Sequence, residues 1–183
     1  MDAAKLLASR QQKDQFFKSH PQSPLTPQQQ TAFNALRYYD PNPALDFTLR
    51  IEPIADGKFV QMQSTTGEIR MMKRYGHFTF PVESQETTLT LYEADYGFFL
   101  PFVDANAGTE TYPAGRYLEP EYLGDNHFHI DFNQAYNPYC AYGDGWSCPI
   151  TPAENRLSVA IRAGEMIPEG EWVGMDASDE MIR

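Results

Sequence analysis

The sequence predicts a mainly β fold, an antiparallel barrel or sandwich with two N-terminal helices. Three observations lead there. Leu45, Phe47, Leu49 and Ile51 alternate with Asp46, Thr48, Arg50 and Glu52, the period of a strand with one buried face. Turn signals then recur about every ten residues, the spacing of an antiparallel meander. Finally, 14 Pro and 12 Gly in 183 residues favour many turns and short elements over long helices.

Taken in order, residues 3–19 hold good helix formers with no Pro or Gly, so a first helix is expected there. Its apolar residues sit at the ends, Leu6 and Leu7 near one and Phe16 and Phe17 near the other, which suggests docking mainly through the aromatic pair. His20-Pro21 and Ser23-Pro24 break it, because a residue before proline is pushed out of the α region. Thr26 as N-cap, Pro27 at the first helical position and Gln29 as the capping-box partner then start a second helix over 27–36. After the strand at 45–52, Asp56-Gly57 reads as a hairpin turn returning through Lys58–Gln63. Thr65-Thr66-Gly67-Glu68 is a further turn, followed by expected strands at Ile69–Tyr75, His77–Val82, Thr87–Glu93 and Phe98–Phe102. Shorter strands are expected at Arg116–Leu118, His127–Asn133 and Leu157–Arg162. Residues 1–173 are expected to form one domain, and 174–183 an acidic frayed tail.

The formal net charge is −11, with 25 Asp and Glu against 14 Lys and Arg and no basic run. Such a chain repels phosphate backbones and anionic bilayers, which argues against nucleic acid and membrane partners. No apolar stretch is long enough to span a membrane and no secretory leader is evident, so a cytoplasmic address is expected. In that reducing compartment Cys140 and Cys148 read first as thiols, with a bridge or a nucleophilic Cys140 as the alternatives.

Chemistry concentrates after residue 115. In His127–Asn133, side chains alternate, so His127, His129, Asp131 and Asn133 share one face and Phe128, Ile130 and Phe132 the other. The two histidines and the aspartate lack a metal-typical spacing, and no metal is expected. Arg116, set among aromatic and apolar residues, needs a carboxylate partner such as Asp131 or Glu165, or a ligand anion.

These residues carry a resemblance. Phe99-Leu100-Pro101-Phe102, Gly115-Arg116-Tyr117-Leu118, Asp131-Phe132-Asn133-Gln134-Ala135-Tyr136-Asn137-Pro138, Cys140-Ala141-Tyr142, Cys148-Pro149, Glu154-Asn155-Arg156-Leu157 and Ala163-Gly164-Glu165 resemble the family called domain of unknown function 1684, in a short form without its Gly-Trp-Leu segment. The resemblance brings no established activity with it and leaves any cofactor unassigned. It implies that Arg116, Asp131, Asn133, Tyr136, Asn137, Cys140, Cys148, Asn155, Arg156 and Glu165 belong to the family pattern, and that His127 and His129 do not.

The residues thus point to a small polar or anionic metabolite as ligand. Arg116, Asp131, Asn133, Tyr136, Asn137, Cys140, Arg156 and Glu165 are the candidate binding set. Two other classes are kept open: a thiol- or carboxylate-dependent hydrolase using Cys140 or Asp131, and an assembly protein with an exposed apolar patch at Phe16 and Phe17.

Overall fold

A computed structural model of the chain describes residues 2–55 and 57–170; Asp56 of the expected hairpin turn and the whole expected tail lie outside the described residues. Helix α1 covers Ala3–Ser19, opened by Asp2, whose carboxylate accepts from the N–H groups of Ala4 and Lys5 at 3.1 Å. Its inward stripe is Leu6, Arg10 and Phe17. Phe17 is fully enclosed and packs edge-on against Tyr142 at 5.0 Å, so the exposed patch expected at Phe16 and Phe17 is absent. Arg10 is a second anchor, donating to the carbonyls of Tyr39 at 2.9 Å and Asn133 at 3.3 Å.

The capping box forms as expected, with Thr26 and Gln29 bonding reciprocally, and helix α2 runs over Pro27–Ala32. It stops four residues short of the expected end. Phe33 and Leu36 turn into the core beneath α1, and the Leu36 N–H is taken by the Asp14 carboxylate at 2.9 Å, so tertiary contacts outweigh local helix propensity.

Among the described residues nine strands follow: β1 Asp46–Arg50, β2 Glu52–Pro53, β3 Phe59–Gln63, β4 Ile69–Val82, β5 Gln85–Ala94, β6 Gly97–Phe102, β7 Arg116–Leu118, β8 Glu121–Gly124 and β9 His127–Asp131. They make two antiparallel sheets, one in the order β1-β9-β8 and the other β2-β4-β5-β6-β7 with β3 also paired to β4. The fold is sandwich-like, with no closed barrel among the described residues. Phe128, Ile130 and Phe132 from the small sheet and its exit meet Phe78, Phe80, Leu89, Leu91, Leu100 and Phe102 from the large one in a single apolar cluster. The alternation read from 127–133 is therefore correct on its buried side.

Three expectations about strands change. Ile69–Tyr75 and His77–Val82 are one 14-residue strand with a bulge between Arg74 and Gly76. Gly76 is no turn residue; a Cβ there would lie 2.4 Å from the Glu52 carbonyl and 2.7 Å from Ile51, so glycine admits β2 alongside. Leu157–Arg162 forms no strand, because its groups serve other partners: the Leu157 N–H bonds the Val103 carbonyl at 2.7 Å and the Ile161 N–H the Asp104 carboxylate at 2.9 Å. Strand β8 has no clear alternation in the sequence and adds to the expected set. Among the described residues no helix is long and apolar enough to cross a membrane.

Candidate ligand cleft beside the first helix

Strand β9, the middle strand of the small sheet, ends at Asp131, where the chain turns tightly through Phe132–Gln134. The Asp131 carboxylate accepts from the Asn133 backbone at 3.0 Å, the Asn133 amide at 2.7 Å and the Gln134 amide at 3.1 Å. Asn133 in turn exchanges two bonds with the backbone of Asn42, at 2.7 and 2.9 Å. These groups pin the segment leading into β1 against the end of β9, as buried polar groups with satisfied partners do.

Glu165 organises the next layer. It pairs with Lys13 of α1 and accepts from the Asn137 N–H at 2.8 Å and the Tyr142 hydroxyl at 3.0 Å. Burial, and after it the Glu165 charge, push the Tyr142 phenol far above its ordinary value. The Asn137 amide reaches the Met166 carbonyl at 2.9 Å.

Arg116 lies inside the protein, 1% exposed. Its guanidinium donates to the carbonyls of Ala163, Glu165 and Ile161 and faces Asp104 at 3.6 Å. Burial lowers its pKa, opposed first by Asp104. The carboxylate partner is thus Asp104, not Asp131 or the Glu165 side chain. Its donors hold together the chain segment 161–165.

Of the expected set, Asn133, Tyr136 and Glu165 line one cleft, of about 240 Å³, against Ser9, Arg10 and Lys13 of α1. Asn137 stands directly behind Glu165, and Asp131 opens onto a neighbouring cleft of about 310 Å³. Arg156 is exposed and lines neither. Cys140 is bonded to Cys148, which corrects the reading of both as thiols and leaves no thiolate for a Cys140 nucleophile in this state. The short Gly-containing loop between them permits the closure, and neighbouring packing holds it there.

A third cleft, of about 480 Å³, shares Lys13 and Tyr136 with the first. Its walls are mainly aromatic, with Tyr96, Phe99, Tyr117, Tyr136, Tyr139 and Trp146. Tyr136 donates to Glu119 at 2.7 Å, and burial, then Glu119, raise its phenol pKa strongly. Trp146 is held edge-on to Tyr139 at 4.9 Å, within the loop that the Cys140–Cys148 bond closes. Arg70 from β4 reaches the same cleft, anchored through Nη2 to the Ser147 carbonyl at 3.0 Å and to Glu68 at 3.5 Å. Lys13, Arg70, Trp146 and Glu119 are not among the residues the sequence singles out. Only the aromatic density between Tyr136 and Trp146 hints at this wall.

The family model described as "Protein of unknown function (DUF1684)" matches residues 31–166. The solution NMR structure of an uncharacterized protein from Haloarcula marismortui is similar at 32% identity and a TM-score of 0.67, covering 89% of this chain and 92% of that one. No curated protein matches.

Proposed function

This chain belongs to the DUF1684 family of proteins of unknown function, and from that premise we propose that it binds a small polar or anionic ligand, a flat ring bearing a carboxylate or phosphate, in the aromatic-walled cleft that Lys13 of α1 borders. One observation carries the reading: an aromatic-walled cleft of about 480 Å³ has a guanidinium at its rim. Tyr96 and Trp146 keep 61% and 37% of their surface exposed, offering faces for stacking. Among the described residues the Arg70 side-chain bonds run through Nη2, which leaves the other edge of its planar fork for an anion. Lys13 and Glu119 are already engaged by Glu165 and Tyr136, so Arg70 is the group with donors to offer.

In this reading Tyr136 touches the ligand. Asn133, Asn137, Glu165, Asp131 and Arg116 hold the wall that carries it.

A thermal-shift screen of aromatic carboxylates and phosphates tests the proposal. Hits are expected to raise the melting temperature of the wild type, and Arg70→Ala and Trp146→Ala to abolish the rise with the fold intact by circular dichroism. Equal shifts in both variants would remove the cleft from consideration.

The address is tested alongside. A bonded Cys140–Cys148 pair persists in an oxidising compartment, whereas cytoplasmic residence would keep both residues as thiols. Alkylation of intact cells followed by mass analysis of the 140–148 peptide distinguishes them.

A further inference from the structure

Three ligand-bearing side chains outside the aromatic cleft come together on the small sheet. Asp46 on β1 is directly opposite Asp131 on β9, and His129, two residues before Asp131, projects from the same face. Nε2 of His129 lies 2.6 Å from a carboxylate oxygen of Asp46, and one donor atom from each of Asp46, His129 and Asp131 falls within 4.8 Å of the others. Glu121, opposite His129 on β8, brings a fourth donor to 3.8 Å from the other ring nitrogen.

The register of β1 and β9 favours an ion here: it sets Asp46 opposite Asp131 with His129 on the same face, so imidazole and carboxylate donors of the kinds that bind transition ions meet at one place. The cluster also opens onto the cleft of about 310 Å³ lined by His129, Asp131 and Gln134, so an ion has an entry path and room for water in its remaining positions. The bonds that Asp131 accepts from Asn133 and Gln134 orient its carboxylate, the role outer partners play around metal ligands.

We propose that Asp46, His129 and Asp131 form a binding site for a divalent first-row transition ion of the Zn²⁺ or Mn²⁺ class. The donor set decides the class. One imidazole disfavours Mg²⁺ and Ca²⁺, which take all-oxygen sites, and the absence of sulfur from the set disfavours Cu⁺. The sequence pattern does not reveal the site because Asp46 stands 83 residues before His129, and only strand pairing unites them.

The test uses the full chain stripped with a chelator and dialysed, then titrated with Zn²⁺ or Mn²⁺ alone by calorimetry. One saturable site is expected. His129→Ala is expected to weaken it at least tenfold, while His127→Ala, an exposed neighbour on the same strand face, leaves it unchanged. Should His129→Ala fail to fold, Asp46→Asn supplies the second reading, with the same tenfold loss expected. Mn²⁺ is expected to broaden amide resonances around 46, 129 and 131 before any others. Binding that does not saturate, that survives both variants, or that broadens other regions first would overturn the site and leave an ordinary His129–Asp46 ion pair.

Discussion

Arg116 shows why a residue type alone does not assign a role. From sequence, an arginine among aromatics asks for an anion, and a protein carbonyl cluster is the one partner that no pattern displays. The structure supplies three carbonyls from 161–165 together with Asp104. Gly164 belongs to the same arrangement: at φ +77° and with a Cβ position 2.6 Å from the Ala135 carbonyl, it lets segment 161–165 press against the turn after β9. The motifs Gly115-Arg116 and Ala163-Gly164-Glu165 were thus readable as belonging together, while their purpose was not. Arg116→Ala is expected to cost roughly 3–5 kcal/mol, because it leaves Asp104 and three carbonyls without their cation. Urea denaturation measures this. A loss below about 1 kcal/mol would mean that the carbonyls find water instead.

Among the elements, legibility followed the range of the forces involved. Helix α1 was legible at both ends, and the turn at Thr65–Glu68 was too, because caps, proline and a positive-φ glycine act locally. The end of α2, the merger of two strands into β4 and the irregular path at 157–162 were not. Each depends on a partner far away in sequence: Asp14, Glu52 or Asp104. The Cys140–Cys148 loop is the clearest case at this scale. It closes across eight positions and is tied to the turn after β3, with the Cys148 N–H donating to the Thr65 hydroxyl at 3.1 Å and that hydroxyl donating to the Trp146 carbonyl at 2.9 Å. In the chain-entropy model such a bridge contributes about 2–3 kcal/mol. Reduction by a dithiol such as dithiothreitol, with two electrons and two protons passing to the cysteine pair as the dithiol is oxidised, is therefore expected to lower the melting temperature. It should also release Trp146, read as a red shift and loss of anisotropy in tryptophan fluorescence, measured in a Trp172→Phe background that removes the chain's other tryptophan. Unchanged fluorescence on full reduction would show that Thr65 and Tyr139 hold the loop without the bond.

For the molecule as a whole, the single domain expected from chain length predicts one cooperative unfolding transition, and acid is the condition that probes how its parts are tied. Arg74 of β4 grips Glu154 with two bonds at 2.7 Å, and Tyr92 of β5 donates to the same carboxylate, so the large sheet is fastened to the turn at 153–155. The Arg74 bonds, ahead of the opposing effect of desolvation, hold the Glu154 pKa below the usual carboxylate range. A carboxylate whose folded pKa is depressed binds its proton more readily in the unfolded chain. Its stabilising contribution is complete above the unfolded value and fades as pH falls through the folded one. Asp14 acts in the other direction. Burial raises its pKa despite the Leu36 N–H, so it takes up a proton sooner in the folded chain and becomes a stabilising influence as pH falls through that raised value. Glu154→Gln is accordingly expected to lower stability at pH 7 and to flatten the acid limb of the stability profile, whereas Asp14→Asn flattens nothing there and removes a rise. Chemical denaturation of both variants from pH 3 to pH 7 reads the two slopes. An acid limb in Glu154→Gln as steep as the wild type's would show that the sheet-to-turn tie is not what acid loosens.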